Sequence, residues 1–250
     1  NQYLNLSDNA QNVSFGLNAG NTSARLGYYA TEKASELDNY NFDRINDVES
    51  KGVYSSVSYK PAKDSALFMQ SGITQESGSF LGAKSNGAFA LSPESKTYFT
   101  SLSYEHSLTD NLTFLGNYGL GMTDIGAGQN SLVKNVSNVM SDSFALGMEY
   151  GNVFDNDKFG ISFSQPLRVR SASADVNLPM GITTSGDIIY DNIRTSIAPE
   201  GRELDLQGYY SAKLDDGSNL LFGSILRSEP DNIKDAANEA LFVTKYSTKF

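Results

Sequence analysis

Ala240-Leu241-Phe242-Val243-Thr244-Lys245-Tyr246-Ser247-Thr248-Lys249-Phe250 is the stretch that decides the fold. Phe242, Tyr246 and Phe250 share one parity, while Val243, Lys245, Ser247 and Lys249 take the other. Successive side chains of a strand point to opposite faces, so this run has an aromatic face and a mostly polar, basic one. A soluble strand rarely stops on an exposed Phe. A strand of a transmembrane barrel turns such a face to lipid or to the membrane interface.

Outward from this run, composition narrows the alternatives. The chain has 250 residues, 39 % hydrophobic, with 14 Tyr and 14 Phe. No window approaches the ~18 consecutive apolar residues of a transmembrane helix, which excludes helical membrane proteins. Barrels are untouched by that test, because a barrel strand needs only ~9–11 alternating residues. A net charge of −10, with no basic stripe among aromatics, argues against nucleic acid as a partner. Cysteine is absent, which leaves neither a disulfide framework nor a thiolate metal site. That suits passage through an oxidising periplasm. With no signal peptide and no initiating Met at Asn1, the expectation is a mature piece of something longer.

Residues 1–12 are polar and without period, and are expected to be a leader or the remnant of a linker; residues 13–250 are expected to form one barrel. Val13, Phe15, Leu17 and Ala19 alternate with Ser14, Gly16 and Asn18, and Gly20-Asn21 signals a turn. Alternation resumes in Ala24–Ala30, Val53–Tyr59, Ser65–Ile73, Thr97–His106, Leu112–Met122 and Phe144–Tyr150. It continues in Phe159–Val169, 171–179, 187–198, Arg202–Leu214, Leu220–Arg227 and the final run. Connections after 19, 61, 107, 151 and 214 (Asp215-Asp216-Gly217) are short, whereas those after 30, 75, 123 and 227 are long. Short turns at one rim and long loops at the other are how transmembrane barrels are built. The expected fold is all-β: an antiparallel up-and-down transmembrane barrel of about twelve strands, with both chain ends on the periplasmic, short-turn side. One face carries Ser14, Asn18, Arg25, Asn117, Glu149, Glu203, Asp205, Gln207 and Lys245, too polar for a packed core. Polar inside and apolar outside is the membrane order, which weighs against a soluble ligand-binding barrel.

Three further segments carry a resemblance. They are Glu76-Ser77-Gly78-Ser79-Phe80-Leu81-Gly82-Ala83-Lys84-Ser85-Asn86-Gly87-Ala88-Phe89, Phe159–Ala174 around Gln165-Pro166-Leu167-Arg168, and Ala198-Pro199-Glu200-Gly201-Arg202-Glu203-Leu204-Asp205-Leu206. The ending itself resembles the C-terminal assembly signal of outer-membrane proteins, carried here by Phe242, Tyr246 and Phe250. Together these stretches resemble the translocator barrel of autotransporters, most closely of those that export a subtilisin-type serine protease. The likeness runs from about Ser65 onward. The resemblance implies an outer-membrane location and contact with its lipid, delivery to the β-barrel assembly machinery, and a monomer without cofactor or metal. It also implies secretion and anchoring of a covalently attached N-terminal passenger, with no catalysis in this chain. The family usually threads a helix through the pore before the first strand, and residues 1–12 are too short and too poor in helix formers to supply it. The alternative is a free-standing small channel or adhesion barrel.

Candidate lumen residues are Arg25, Glu105, Glu149, Arg168, Arg194, Glu203, Asp205 and Lys245, with Arg202 on the same logic. Both signs occur, so pairing across the pore is expected rather than a one-sign selectivity ring. Pro166 cannot donate to a ladder and marks a bulge or strand end. Arg168 beside it would either contact a segment in the lumen or pair with a carboxylate. Residues 76–82 would either fold over the pore mouth or form a well-specified loop. His106 is the single histidine; Ser107 follows it directly, which puts the two side chains on opposite faces of a strand and disfavours a Ser-His hydrolase.

Overall fold

The computed structural model describes residues 2–4, 10–31, 49–83, 87–154, 156–214 and 218–248. Among these the chain is all-β, and its strands pair antiparallel throughout. Strands β1 (Ala10–Ala19), β2 (Thr22–Thr31), β3 (Glu49–Ala62), β4 (Ser65–Ser77), β5 (Leu91–Ser107) and β6 (Leu112–Ala127) form a meander. It continues through β8 (Val139–Gly151), β9 (Asp157–Ser171), β12 (Leu204–Lys213), β13 (Asn219–Ser228) and β14 (Glu239–Ser247) into one sheet of 11 strands. The short strand β7 (Val133–Lys134) and the hairpin of β10 (Ser173–Ile182) and β11 (Ile188–Ser196) make a separate sheet of 3 strands.

Turn chemistry sets one rim. Gly20 (φ 55°) opens the Gly20-Asn21 turn between β1 and β2, a backbone region closed to most side chains. The turns after β3, β5 and β8 lie at the same rim, and the long connections lie at the other. Residues 32–48 and Asp215-Asp216-Gly217 fall outside the described residues. Pro166 marks a register break within β9 rather than its end: the β8–β9 ladder shifts between Asp142 and Phe144, and β9 continues to Ser171.

Among the described residues the large sheet holds 11 strands, where about twelve were expected. Stretches 171–179 and 187–198 alternate as barrel strands do, but they pair with each other and with β7 at the long-connection rim. Local alternation reports a half-buried strand without saying which sheet owns it. Eleven strands joined only by antiparallel steps leave β1 and β14 running in the same direction. β1 therefore begins at the long-connection rim, and β14 ends at the short-turn rim. No pairing joins β1 to β14 among the described residues.

The two faces of the large sheet have opposite chemistry. On the face covered by Tyr3 and Leu81, here the inner face, the registered rows are short and polar. One row is Tyr29, Gly52, Thr74, Thr97, Thr123 and Val139; the next is Gly27, Tyr54, Gly72, Phe99, Gly121 and Ser141. A third is Arg25, Ser56, Gln70, Ser101, Gly119 and Ser143. The outer rows are apolar, as in Tyr28, Val53, Ile73, Tyr98, Met122 and Met140. Among the described residues 19 buried side chains are polar or charged against 10 hydrophobic, while Phe15 is 72 % exposed and Phe242 79 %. The sheet is inside out relative to a water-soluble domain, whose sheets bury the apolar face.

Candidate functional site

The inner wall is the candidate site. Toward the short-turn rim it is a hydrophilic hollow of about 530 Å³ lined by Ser14, Asn18, Arg25, Ser56, Ser58 and Gln70. Alternation in β1 to β4 places these small polar residues and one guanidinium together, because each lies on the same parity of its strand. Toward the long-connection rim the wall turns aromatic. Tyr29, Tyr54 and Phe99 cluster there with Tyr3, and Leu4, Leu81 and Leu167 pack against them. Two of these rings sit where the neighbouring strand offers no Cβ: Tyr54 covers Gly27, and Phe99 covers Gly72.

A folded loop supplies Leu81. The carboxylate of Glu76, fully buried at the end of β4, accepts hydrogen bonds from Ser79 Oγ (2.8 Å), Leu81 N (3.1 Å) and Gly82 N (2.9 Å). Ser95 Oγ of β5 donates to the Ser79 carbonyl at 3.0 Å and ties the loop to the next strand. Of the two readings of residues 76–82, the hydrogen bonds show the well-specified loop. It packs Leu81 against the aromatic cluster of the wall.

The segment 198–206 packs against the connection 229–238. Arg202 N and Asp235 N donate to the Glu229 carboxylate at 2.7 and 3.2 Å, which holds its pKa below the ordinary carboxylate value. Glu203 N donates to Asn232 Oδ1 at 3.1 Å, and Asp231 N donates to Glu203 Oε2 at 2.7 Å. Burial pushes the Glu203 carboxyl up, and the Asp205 carboxylate beside it pushes the same way.

The residues singled out from sequence are spread over several environments. Arg25 lines the hydrophilic hollow, and Glu105 and Lys245 share the inner parity, on β5 and β14. Glu149 pairs with Lys158 at 2.7 Å and accepts a hydrogen bond from Tyr209 Oη. Asp205, 4 % exposed, sits on the inner wall between Ser164 and Arg227 in register, and Arg227 lies 3.8 Å from Glu203. Among the described residues, the hydrogen bonds of Arg168 go to carbonyls: Nε donates to that of Gly201 at 2.9 Å and Nη2 to that of Pro199 at 3.3 Å. Arg202 Nε donates to Gln165 Oε1 at 2.6 Å. Arg194 is not on the large sheet; from β11 it pairs with Asp175 at 2.9 Å, and Asn135 Nδ2 donates to the same carboxylate at 3.0 Å. Arg194 and Asn135 together hold the Asp175 pKa down. Phe242 and Tyr246 lie on the outer face, Tyr246 Oη bonded to Ser218 Oγ at 2.9 Å, and Phe250 lies outside the described residues.

His106 Nδ1 is hydrogen-bonded to Ser65 Oγ across the β4–β5 ladder at 2.9 Å, and Ser107 Oγ bonds Thr113 instead (3.2 Å). The Asp64 carboxylate accepts from the Ser65 hydroxyl at 3.4 Å rather than from the imidazole, which is not the arrangement of a serine hydrolase triad. No group of three or more His, Asp or Glu side chains that could hold a metal ion occurs among the described residues.

Sequence reasoning missed Tyr3, Arg227 and Tyr209, and it singled out the segment of Glu76 without marking its carboxylate. Tyr3 stands in a stretch without period, so no pattern marks it. Tyr209 and Arg227 share the parity of the inner residues of β12 and β13 and were within reach of the same alternation rule. No protein-family model matches the chain, and no curated protein aligns with it significantly.

Proposed function

We propose that the chain is the translocator of an autotransporter: an outer-membrane β-barrel that anchors and secretes an N-terminal passenger, in this reading a subtilisin-like protease. The observation that carries the membrane part is the inverted sheet, with exposed Val, Leu, Phe and Tyr on one face and buried Ser, Thr and Gln on the other. Burial of that apolar face in hydrocarbon removes from water a surface far larger than a monomeric soluble protein exposes. The asymmetric rims support the same reading, with periplasmic short turns and external long connections. The likeness of segments 76–89, 159–174 and 198–206 to autotransporter barrels supports the secretion part.

In this reading the sheet closes. Because β1 and β14 run the same way, antiparallel closure takes an odd number of further strands, and one strand between them brings the wall to twelve. A barrel of that size holds a narrow hydrophilic lumen that passes an extended segment and excludes a folded protease. Any catalysis then resides in the passenger, and the barrel's partners are lipid, the assembly machinery and that passenger.

An immunoblot of native outer membranes, followed over time with antibody to this chain, tests the proposal. A large precursor that decays to a band near 27.1 kDa, with release of a separate polypeptide, is the expected result. A band of barrel size from the earliest time point, with no larger form, overturns secretion and leaves a free-standing channel. A chain recovered only in soluble fractions overturns both.

A further inference from the structure

The aromatic end of the inner wall holds a side chain that belongs to none of its strands. Tyr3, in the turn Gln2-Tyr3-Leu4, is 1 % exposed. Its ring stacks on Phe99 at 5.4 Å between centroids and 8° between planes. Its hydroxyl is hydrogen-bonded to Ser141 Oγ at 3.0 Å and donates to the Ser141 carbonyl at 3.2 Å. The ring also lies against Gly121, where a Cβ would come within 2.5 Å of it, and reaches toward Gly119. Stacking partner, bare floor and polar end come from β5, β6 and β8, so the large sheet builds the seat and the turn only fills it. A site with an apolar slot and a hydrogen-bond acceptor at its far end matches the shape and polarity of a phenol.

We infer that the inner wall carries a binding seat for the tyrosine side chain of an extended polypeptide, and that Tyr3 occupies it as a resident latch. The inference rests on the sheet being the wall of a membrane channel, because only then does the occupied seat narrow a pore. Tyr3 enters with Leu4 beside it and Leu81 packed on the same cluster, so two segments meet over the wall at one level. An extended chain moving through the lumen must displace Tyr3, and a tyrosine of that chain replaces it with the same contacts. The seat thereby exchanges a closing residue for a passing one at little net cost.

The test uses the full chain, folded in detergent and reconstituted into planar bilayers, with N-acetyl-tyrosinamide as probe. The variant Tyr3→Ala vacates the seat, and the double variant Y3A/G121A vacates it and fills its floor. Heat-modifiable gel migration checks that each is folded. Expected are a raised conductance in Y3A, its reduction by N-acetyl-tyrosinamide, and no reduction in Y3A/G121A. N-acetyl-phenylalaninamide should act roughly five-fold more weakly, as loss of about one neutral hydrogen bond requires. Equal conductance of wild type and Y3A, or equal probe response in Y3A and Y3A/G121A, overturns the latch while the channel stands. If no variant conducts, saturation-transfer NMR in micelles still decides the seat. Binding of N-acetyl-tyrosinamide to Y3A but not to wild type or Y3A/G121A upholds the seat and removes the channel; no difference among the three overturns the seat.

Discussion

Glu76 is the residue on which the inward loop depends. Its buried carboxylate satisfies three donors within seven residues of chain, Ser79 Oγ, Leu81 N and Gly82 N. Leu81 (φ 47°) adopts left-handed backbone, which costs a leucine energy and is held by these bonds, whereas Gly82 (φ 79°) takes the same region freely. Glu76→Ala should destabilise the loop by about 2–4 kcal/mol, the cost of orphaning donors to a charged acceptor. Hydrogen exchange at the Leu81 and Gly82 amides measures it, with protection lost there and retained in β5. A uniform loss across the sheet would mean Glu76 supports the whole fold instead. Asp175 makes a prediction of the other kind, in pH. Its folded pKa lies below the unfolded value of about 3.9, so its pairing with Arg194 stabilises β10–β11 above that value. The contribution is lost as pH falls through the folded pKa. Protection of β11 amides, measured relative to their intrinsic exchange rates, should therefore fall below about pH 3.9 in wild type, and Asp175→Asn should abolish that pH step.

At the scale of the element, alternation in the proposed membrane barrel gives neighbours on one strand different solvents. Leu102 of β5 is 50 % exposed on the outer face, and Ser103, next in sequence, lies on the inner wall beside Asn117. Leu102→Lys should cost about 2–4 kcal/mol in a reconstituted bilayer, the price of a cation on the lipid face near the midplane. Ser103→Lys should cost under about 1 kcal/mol, because its ammonium group enters a hydrated polar surface. Denaturant titration of folded protein in lipid vesicles reads both. A reversed order would assign lipid to the wrong face. The hairpin β10–β11 carries the opposite lesson. Its alternation is as regular as that of β13, and its ladder of Asp175–Arg194 and Asn177–Asn192 stabilises a small sheet at the rim.

At the scale of the molecule, closure is the property to test. With one strand between them, β1 and β14 lie about 9.6 Å apart, two strand spacings; in direct contact they lie about 4.8 Å apart. The chain contains no cysteine, so introduced pairs report without background. Cysteines placed singly at Ser14 or Gly16 and at Leu241 or Val243, all on the inner parity, should be bridged in native membranes by a bismaleimide of about 10 Å and not by a disulfide, which needs Cα atoms under about 7 Å. Ready disulfide formation would mean that the ends meet directly, in a parallel pair.

The sequence by itself determined the all-β class, most strand positions, the short and long rims, and the opposition of polar and apolar faces. All of these follow from a period of two and from turn residues, which are local. It did not determine that 171–179 and 187–198 leave the large sheet, because the same alternation serves any half-buried strand. Nor did it mark Tyr3, which has no periodic neighbours and gains its role from Phe99, Gly121 and Ser141. Those residues stand far from Tyr3 in the chain and are joined to one another through sheet register. Register is a relation between strands, and only tertiary structure sets it.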